Sequence, residues 1–95
     1  MTIYVILECA QTYEGGLNHY QEAFYPNRFL TLAKSEEEAR STVELFAEDR
    51  KNFLEAMDSY LYTNETDPDE LFPNGAICVE SADTDVYYYF KTVDV

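Results

Sequence analysis

Residues 35–59 read SEEEARSTVELFAEDRKNFLEAMDS, and the reading of this stretch decides the fold. Ala39, Val43, Phe46, Ala47, Phe53, Leu54 and Met57 recur three and four residues apart. At about 100° per residue they fall in one stripe, as an amphipathic helix requires. Ser35 with Glu38 three residues on forms a capping box, and Glu36-Glu37-Glu38 suits the positive end of a helix dipole. Glu37, Glu44, Glu48 and Glu55 stand opposite the stripe, within roughly 40° of one another. One helix thus predicts a core face and a line of carboxylates toward solvent. Arg50 falls inside the stripe, where it is expected to snorkel past Phe46 and Phe53 to an acid.

The chain on either side reads as strands. Residues 2–10, TIYVILECA, are apolar on both alternations, which predicts a strand buried on at least one face. Gly15-Gly16 breaks it. Residues 17–25 fit a short helix through Leu17, Tyr20 and Phe24, or a strand through HYQEAFY, before a turn at Pro26-Asn27. Residues 29–33, FLTLA, predict a second strand. After the helix, Tyr60-Leu61-Tyr62 leads into TNETDPDELFPNG, which reads as loop, with one short helical turn in DPDELF. Residues 76–80 predict a third strand and 81–85 a hairpin-type connection. Residues 86–95, VYYYFKTVDV, predict a fourth, with Val86, Tyr88 and Phe90 on one side and Tyr87, Tyr89, Lys91 and Val93 on the other. The predicted class is α+β: a small antiparallel sheet of about four strands, β-β-α-β-β, packed on one long helix as a single domain over residues 1–95. One helix covers one face, so the other has no evident cover, and Tyr4, Tyr87 and Tyr89 are its expected residues. Tyrosine suits a half-wet surface and is enriched at interfaces, so this face reads as ordinary exposed sheet, a binding face or a homodimer contact.

Charge narrows the function. Nineteen acids against six bases leave −13 on 95 residues. Residues 1–34 carry −1, residues 35–58 carry −5 and residues 59–95 carry −7. Such a chain repels nucleic acid and anionic membranes as direct partners and attracts basic protein surfaces. The first sixteen residues have neither a basic leader nor a span long enough for a bilayer, which predicts a cytoplasmic protein. In that compartment Cys9 and Cys78, each inside an apolar run, are expected to be free buried thiols.

Catalytic chemistry is poorly supplied. His19 is the single histidine, no glycine-rich phosphate loop occurs, and neither cysteine sits at a helix N-terminus. Asp67, Asp69 and Glu70 cluster, as do Asp83 and Asp85, but an EF-hand loop begun at Asp67 places Phe72 where glycine is required. No enzyme, cofactor or metal site is expected.

The carboxylate row is the informative feature. Glu37 to Glu55 spans about 27 Å of helix, the rise of roughly eight base pairs of duplex. It reads either as a solvated face or as a mimic of nucleic-acid phosphates. In size, charge and lack of catalytic residues the chain resembles the small acidic proteins that phages and mobile elements use against restriction or CRISPR complexes. That resemblance implies an inhibitor occupying the nucleic-acid site of a nuclease or CRISPR surveillance subunit. The expected contacts are Glu37, Glu44, Glu48, Glu55, Asp67, Asp69, Glu70, Asp83, Asp85, Tyr87 and Tyr89. An immunity protein for a basic toxin nuclease, and a structural homodimer, are the alternatives.

Overall fold

The computed structural model describes residues 1–14, 21–24, 27–82 and 84–95; the side chains of 12–14 and 21–24 lie outside the description. His19, Asp83, Gly15-Gly16 and the 17–20 part of the ambiguous segment therefore fall outside it.

The chain is an α+β fold, with one helix on an antiparallel sheet among the described residues. The elements are β1 (Thr2–Glu14), β2 (Gln21–Phe24), β3 (Arg28–Ala33), α1 (Glu36–Ala56), β4 (Tyr60–Thr66), β5 (Ala76–Ser81) and β6 (Thr84–Asp94). The sheet order is β2-β1-β6-β5-β4, with β3 pairing β1 as well. β2 meets the far end of β1 (Gln11↔Phe24) and β3 the near end (Tyr4↔Ala33), so both share one edge and six strands make a sheet five strands wide.

Three differences from the expected β-β-α-β-β order have physical causes. β1 runs on to Glu14 because Gln11 and Thr12 pair with both β6 and β2. Gln21–Phe24 of the ambiguous segment is strand. Residues 60–66, expected to be mostly loop, form β4 against β5. β4 lacks an apolar alternation because it is an edge strand, largely exposed on both faces.

α1 is built as its sequence dictates. Ser35 caps it, its Oγ accepting from the Glu38 N–H at 3.1 Å. The reciprocal half of the box differs: Glu38 Oε2 accepts from the Lys34 N–H at 3.2 Å rather than from Ser35. At the other end the Ser59 N–H bonds to the Leu54 carbonyl and the Asp58 N–H to the Glu55 carbonyl, with Asp58 at φ 55°. This is a Schellman ending with aspartate where glycine is commonest. Replacing Ser35 with alanine is expected to cost about 1 kcal/mol in urea unfolding, with the fold retained by circular dichroism.

The buried stripe is narrower than the sequence implies. Ala39, Val43, Ala47 and Leu54 are buried, Phe46 is half-buried, and Phe53 and Met57 are more than half exposed. The four buried residues and Phe46 pack on Ile6, Ala33, Val79, Val86, Tyr88 and Phe90, the last three on the expected side of β6. Phe46 stacks on Tyr88 at 6.4 Å between ring centroids. Arg50 departs from expectation: it ends over the Phe53 ring at 5.5 Å, its buried Nε lacks a partner, and no acid pairs with it among the described residues.

The face away from α1, the outer face, is partly covered after all. Phe72, buried in the β4–β5 connection, closes over Cys9, Ala76 and Tyr89, with Leu7 and Tyr87 at the margin. Its ring stacks on Tyr87 at 5.0 Å and meets Tyr89 edge-on at 4.8 Å. No helical turn forms in DPDELF. Asp69 Oδ1 accepts from the Phe72 N–H, and the Phe72 carbonyl accepts from the Asp69 and Gly75 N–H groups. Gly75 sits at φ +78°, and a Cβ there would stand 2.8 Å from the Thr66 carbonyl oxygen, so only glycine closes the turn without a clash. Asn74 Nδ2 donates to the Phe90 carbonyl and ties the loop down on β6.

Candidate functional site

Two groups of polar side chains are candidates, one on each face. The first is the acidic flank of α1. Glu37, Glu44, Glu48 and Glu55 are all exposed, as helical spacing requires. Lys51 Nζ lies 3.8 Å from Glu55, and Arg40 pairs with Glu36 at 2.9 Å. Among the described residues no basic side chain pairs with Glu37, Glu44 or Glu48. β4 runs beside this flank and contributes Glu65, whose pairing with Ile77 puts it on the helix face of the sheet. A groove of about 310 Å³ between the two elements is lined by Glu44, Glu48 and Glu65 with Thr63, Asn64 and Lys51. Three carboxylates against one lysine suit it to a cationic side chain. Reading residues 63–66 as loop hid Glu65, and the TNET alternation was the signal that could have revealed it.

The second group is a row across the outer face. Tyr62 pairs with Glu80, Glu80 with Asp85, and Asp85 with Gln11 in successive strands. Asp85 and Gln11 are buried, Glu80 is half-buried and Tyr62 is exposed. A hydrogen bond to Glu80 holds the Tyr62 phenol above its ordinary value. In the adjoining row Tyr87 lies between Cys78 and Cys9, and its hydroxyl donates to Gln11 Oε1 at 3.1 Å. Donor atoms of Cys78, Glu80 and Asp85 lie within 4.8 Å of one another, close enough to share one cation. Burial first, then the Asp85 and Glu80 charges, push the Cys78 thiol up to about 12. It therefore stays protonated at neutral pH, and a thiol with two carboxylates is matched to neither a hard nor a soft cation. Hairpin register was the signal for this group, since it sets Asp85 opposite Glu80 two residues beyond Cys78.

The remaining expected contacts disperse. Asp67, Asp69 and Glu70 are exposed on the Phe72 loop, though Asp69 spends one oxygen on the loop's own turn. Asp83 lies outside the described residues. Asp85 and Tyr89 are buried and Tyr87 is half-buried beneath Phe72, so the tyrosines anticipated on an open face are largely covered. Tyr4 is on the helix face, 6.0 Å from Phe90 between ring centroids. The apolar run of β1 left its phase unreadable, and pairing of Tyr4 with Thr92 settles it. Both cysteines are free and buried.

No protein-family description, curated protein or solved structure matches this chain. No helix among the described residues is long and apolar enough to cross a membrane.

Proposed function

We propose that this protein is an inhibitor that binds a basic surface of a nucleic-acid-handling protein, presenting the α1 carboxylates where phosphates would lie. The observation that carries the reading is the unneutralised run of Glu37, Glu44 and Glu48, continued across the groove by Glu65. Its spacing along a helix fixes the backbone positions of the charges beforehand, so binding orders the glutamate side chains but not the backbone that carries them. The overall charge of −13 speeds encounter with a positive partner, and the groove gives one arginine or lysine of that partner a seat. The action is steric and electrostatic, with no covalent step. A phage-type antagonist of a restriction nuclease or CRISPR surveillance subunit is the class of protein these features suit.

The test is a binding screen against such nucleases and surveillance subunits, repeated with Glu44→Lys/Glu48→Lys. The double variant is expected to bind roughly 10- to 100-fold more weakly, and wild-type affinity to fall as salt rises. Equal binding by the double variant, or affinity indifferent to salt, would reduce the helix row to a solvated face.

A further inference from the structure

β4 ends the sheet. It pairs with β5 along one edge, and among the described residues its other edge pairs with nothing. The opposite rim of the sheet is divided between β2 and β3, whereas β4 offers seven residues in one run. At its Thr66 end two contacts fix which backbone groups face outward. A Cβ on Gly75 would stand 2.8 Å from the Thr66 carbonyl oxygen, so that carbonyl points toward β5. The Ala76 N–H points back at β4, donating to Thr66 Oγ1 at 2.9 Å. Peptide groups alternate in direction along an antiparallel strand. Asn64 therefore also faces β5, while the N–H and C=O of Thr63 and Glu65 face the open edge. Both residues are exposed.

Sheet edges commonly carry a device against pairing, such as a lysine, a proline or a very short strand. β4 has none of the three; its bulge lies at the Tyr60 end, and its one charged residue is Glu65. What guards it is acid. Glu44, Glu48 and Glu65 line the groove on the helix side. Glu80 holds the Tyr62 hydroxyl on the outer side, and exposed Asp67 follows the end of the strand. Lys51, the base that lines the groove, lies toward the start of β4, over the Tyr60 ring at 5.6 Å. A second β4 brought edge to edge would set these carboxylates against their copies. A basic strand would neutralise them.

We infer that an extended, basic segment of the partner adds to β4 as a further strand of the sheet. The inference rests on the reading of α1 as the seat of a basic partner, and it says how that partner's backbone is held. The N–H and C=O groups of Thr63 and Glu65 bind the segment through hydrogen bonds that do not depend on its side chains. Alternate side chains of the segment, about 6.8 Å apart, fall on the helix side of the sheet, beside Glu65, Glu44 and Glu48. Lysine or arginine at every second position therefore meets the acids. The chemistry recognised is a strand of alternating cationic residues, not a basic helix.

The probe is a capped synthetic peptide with lysine and valine alternating over about eight positions, titrated into the full chain by NMR. At about 0.05 M NaCl it is expected to bind, and to slow solvent exchange of the Thr63 and Glu65 amides at least ~10-fold. The Asn64 amide, already turned to β5, keeps its rate. N-methylation of alternate peptide amides leaves every charge in place. It should weaken binding at least ~10-fold in one of its two phases and not in the other. Thr63→Pro is expected to weaken binding as much, with circular dichroism unchanged, because an edge strand tolerates proline where the missing N–H faced solvent. Glu44→Lys/Glu48→Lys separates this inference from the reading beneath it. Suppose the double variant weakens binding while N-methylation, Thr63→Pro and amide exchange show no effect; the helix row is then a seat, and strand addition is overturned. Binding that survives the double variant yet fails on N-methylation keeps strand addition and removes the helix row. No binding at about 1 mM peptide overturns the inference, and the nuclease screen then judges the helix row alone.

Discussion

Phe72→Ala is expected to lower the free energy of unfolding by about 3–5 kcal/mol, the range for removing a buried phenylalanine. The ring is 4% exposed and fills the space between Tyr87, Tyr89, Cys9 and Ala76. Truncation removes two aromatic contacts and opens a cavity that the turn, pinned by Asp69, Gly75 and Asn74, cannot collapse to fill. Urea unfolding followed by far-UV circular dichroism gives the number, and the near-UV signal of the tyrosines beneath the ring should weaken in the folded variant. Leu71→Ala, one residue away and half exposed, should fall within about 0.5 kcal/mol of wild type. A Phe72 variant as stable as wild type would mean that the loop lies on the sheet without holding it.

The second large effect is alkaline unfolding. Burial holds the Cys9 thiol at about 11, and burial with the Asp85 and Glu80 charges holds Cys78 at about 12, both above the ordinary 9.0. Burial likewise keeps Tyr89 at about 12, and lifts Tyr88 and Tyr87 well above the ordinary 10.0. All five are acids whose neutral form the fold favours. Their contribution is complete below the unfolded values and is lost as pH rises through the folded ones, because only the unfolded chain can release these protons. Each buried group costs up to about 1.4 kcal/mol per pH unit in that window, so together they remove several kcal/mol per unit above pH 10. That approaches the whole stability of a small domain. A steep step of tyrosinate absorbance should coincide with loss of helical circular dichroism between about pH 10 and 11.5. Gradual titration of every tyrosine with secondary structure intact would contradict the burial of Tyr88 and Tyr89.

What the sequence disclosed follows from what was periodic in it. The stripe from Ala39 to Leu54 and the Ser35 cap identify α1, and the alternation in VYYYFKTVDV places Val86, Tyr88 and Phe90 beneath it. β4 was illegible because an edge strand exposed on both faces has no apolar alternation to betray it. The cover on the outer face was illegible for a related reason. A single phenylalanine among Asp, Glu, Pro and Asn reads as loop, and only the three-dimensional turn drives it into the sheet. Missing that cover left Tyr89 on an open surface. Of the candidate site, Glu44 and Glu48 came directly from helical geometry. Glu65 and the row Tyr62–Glu80–Asp85–Gln11 depend on strand register, which no local pattern specifies.

The central pair of the sheet is β1 with β6, joined from Thr2↔Asp94 to Thr12↔Thr84, and the Met1 ammonium donates to the Val95 carbonyl at 2.9 Å. The strands farthest apart in sequence therefore form the middle of the fold rather than its rim. Closing a loop of some 80 residues comes before any gain from the contact, which slows folding relative to a sheet of sequential hairpins. During synthesis α1 can pack on β1 and β3, and β5 can pair with β4, but the β4–β5 hairpin is joined to β1 only once β6 has emerged between them. The same adjacency suits the chain to circular permutation, because a short linker from residue 95 to residue 1 leaves every strand pair intact.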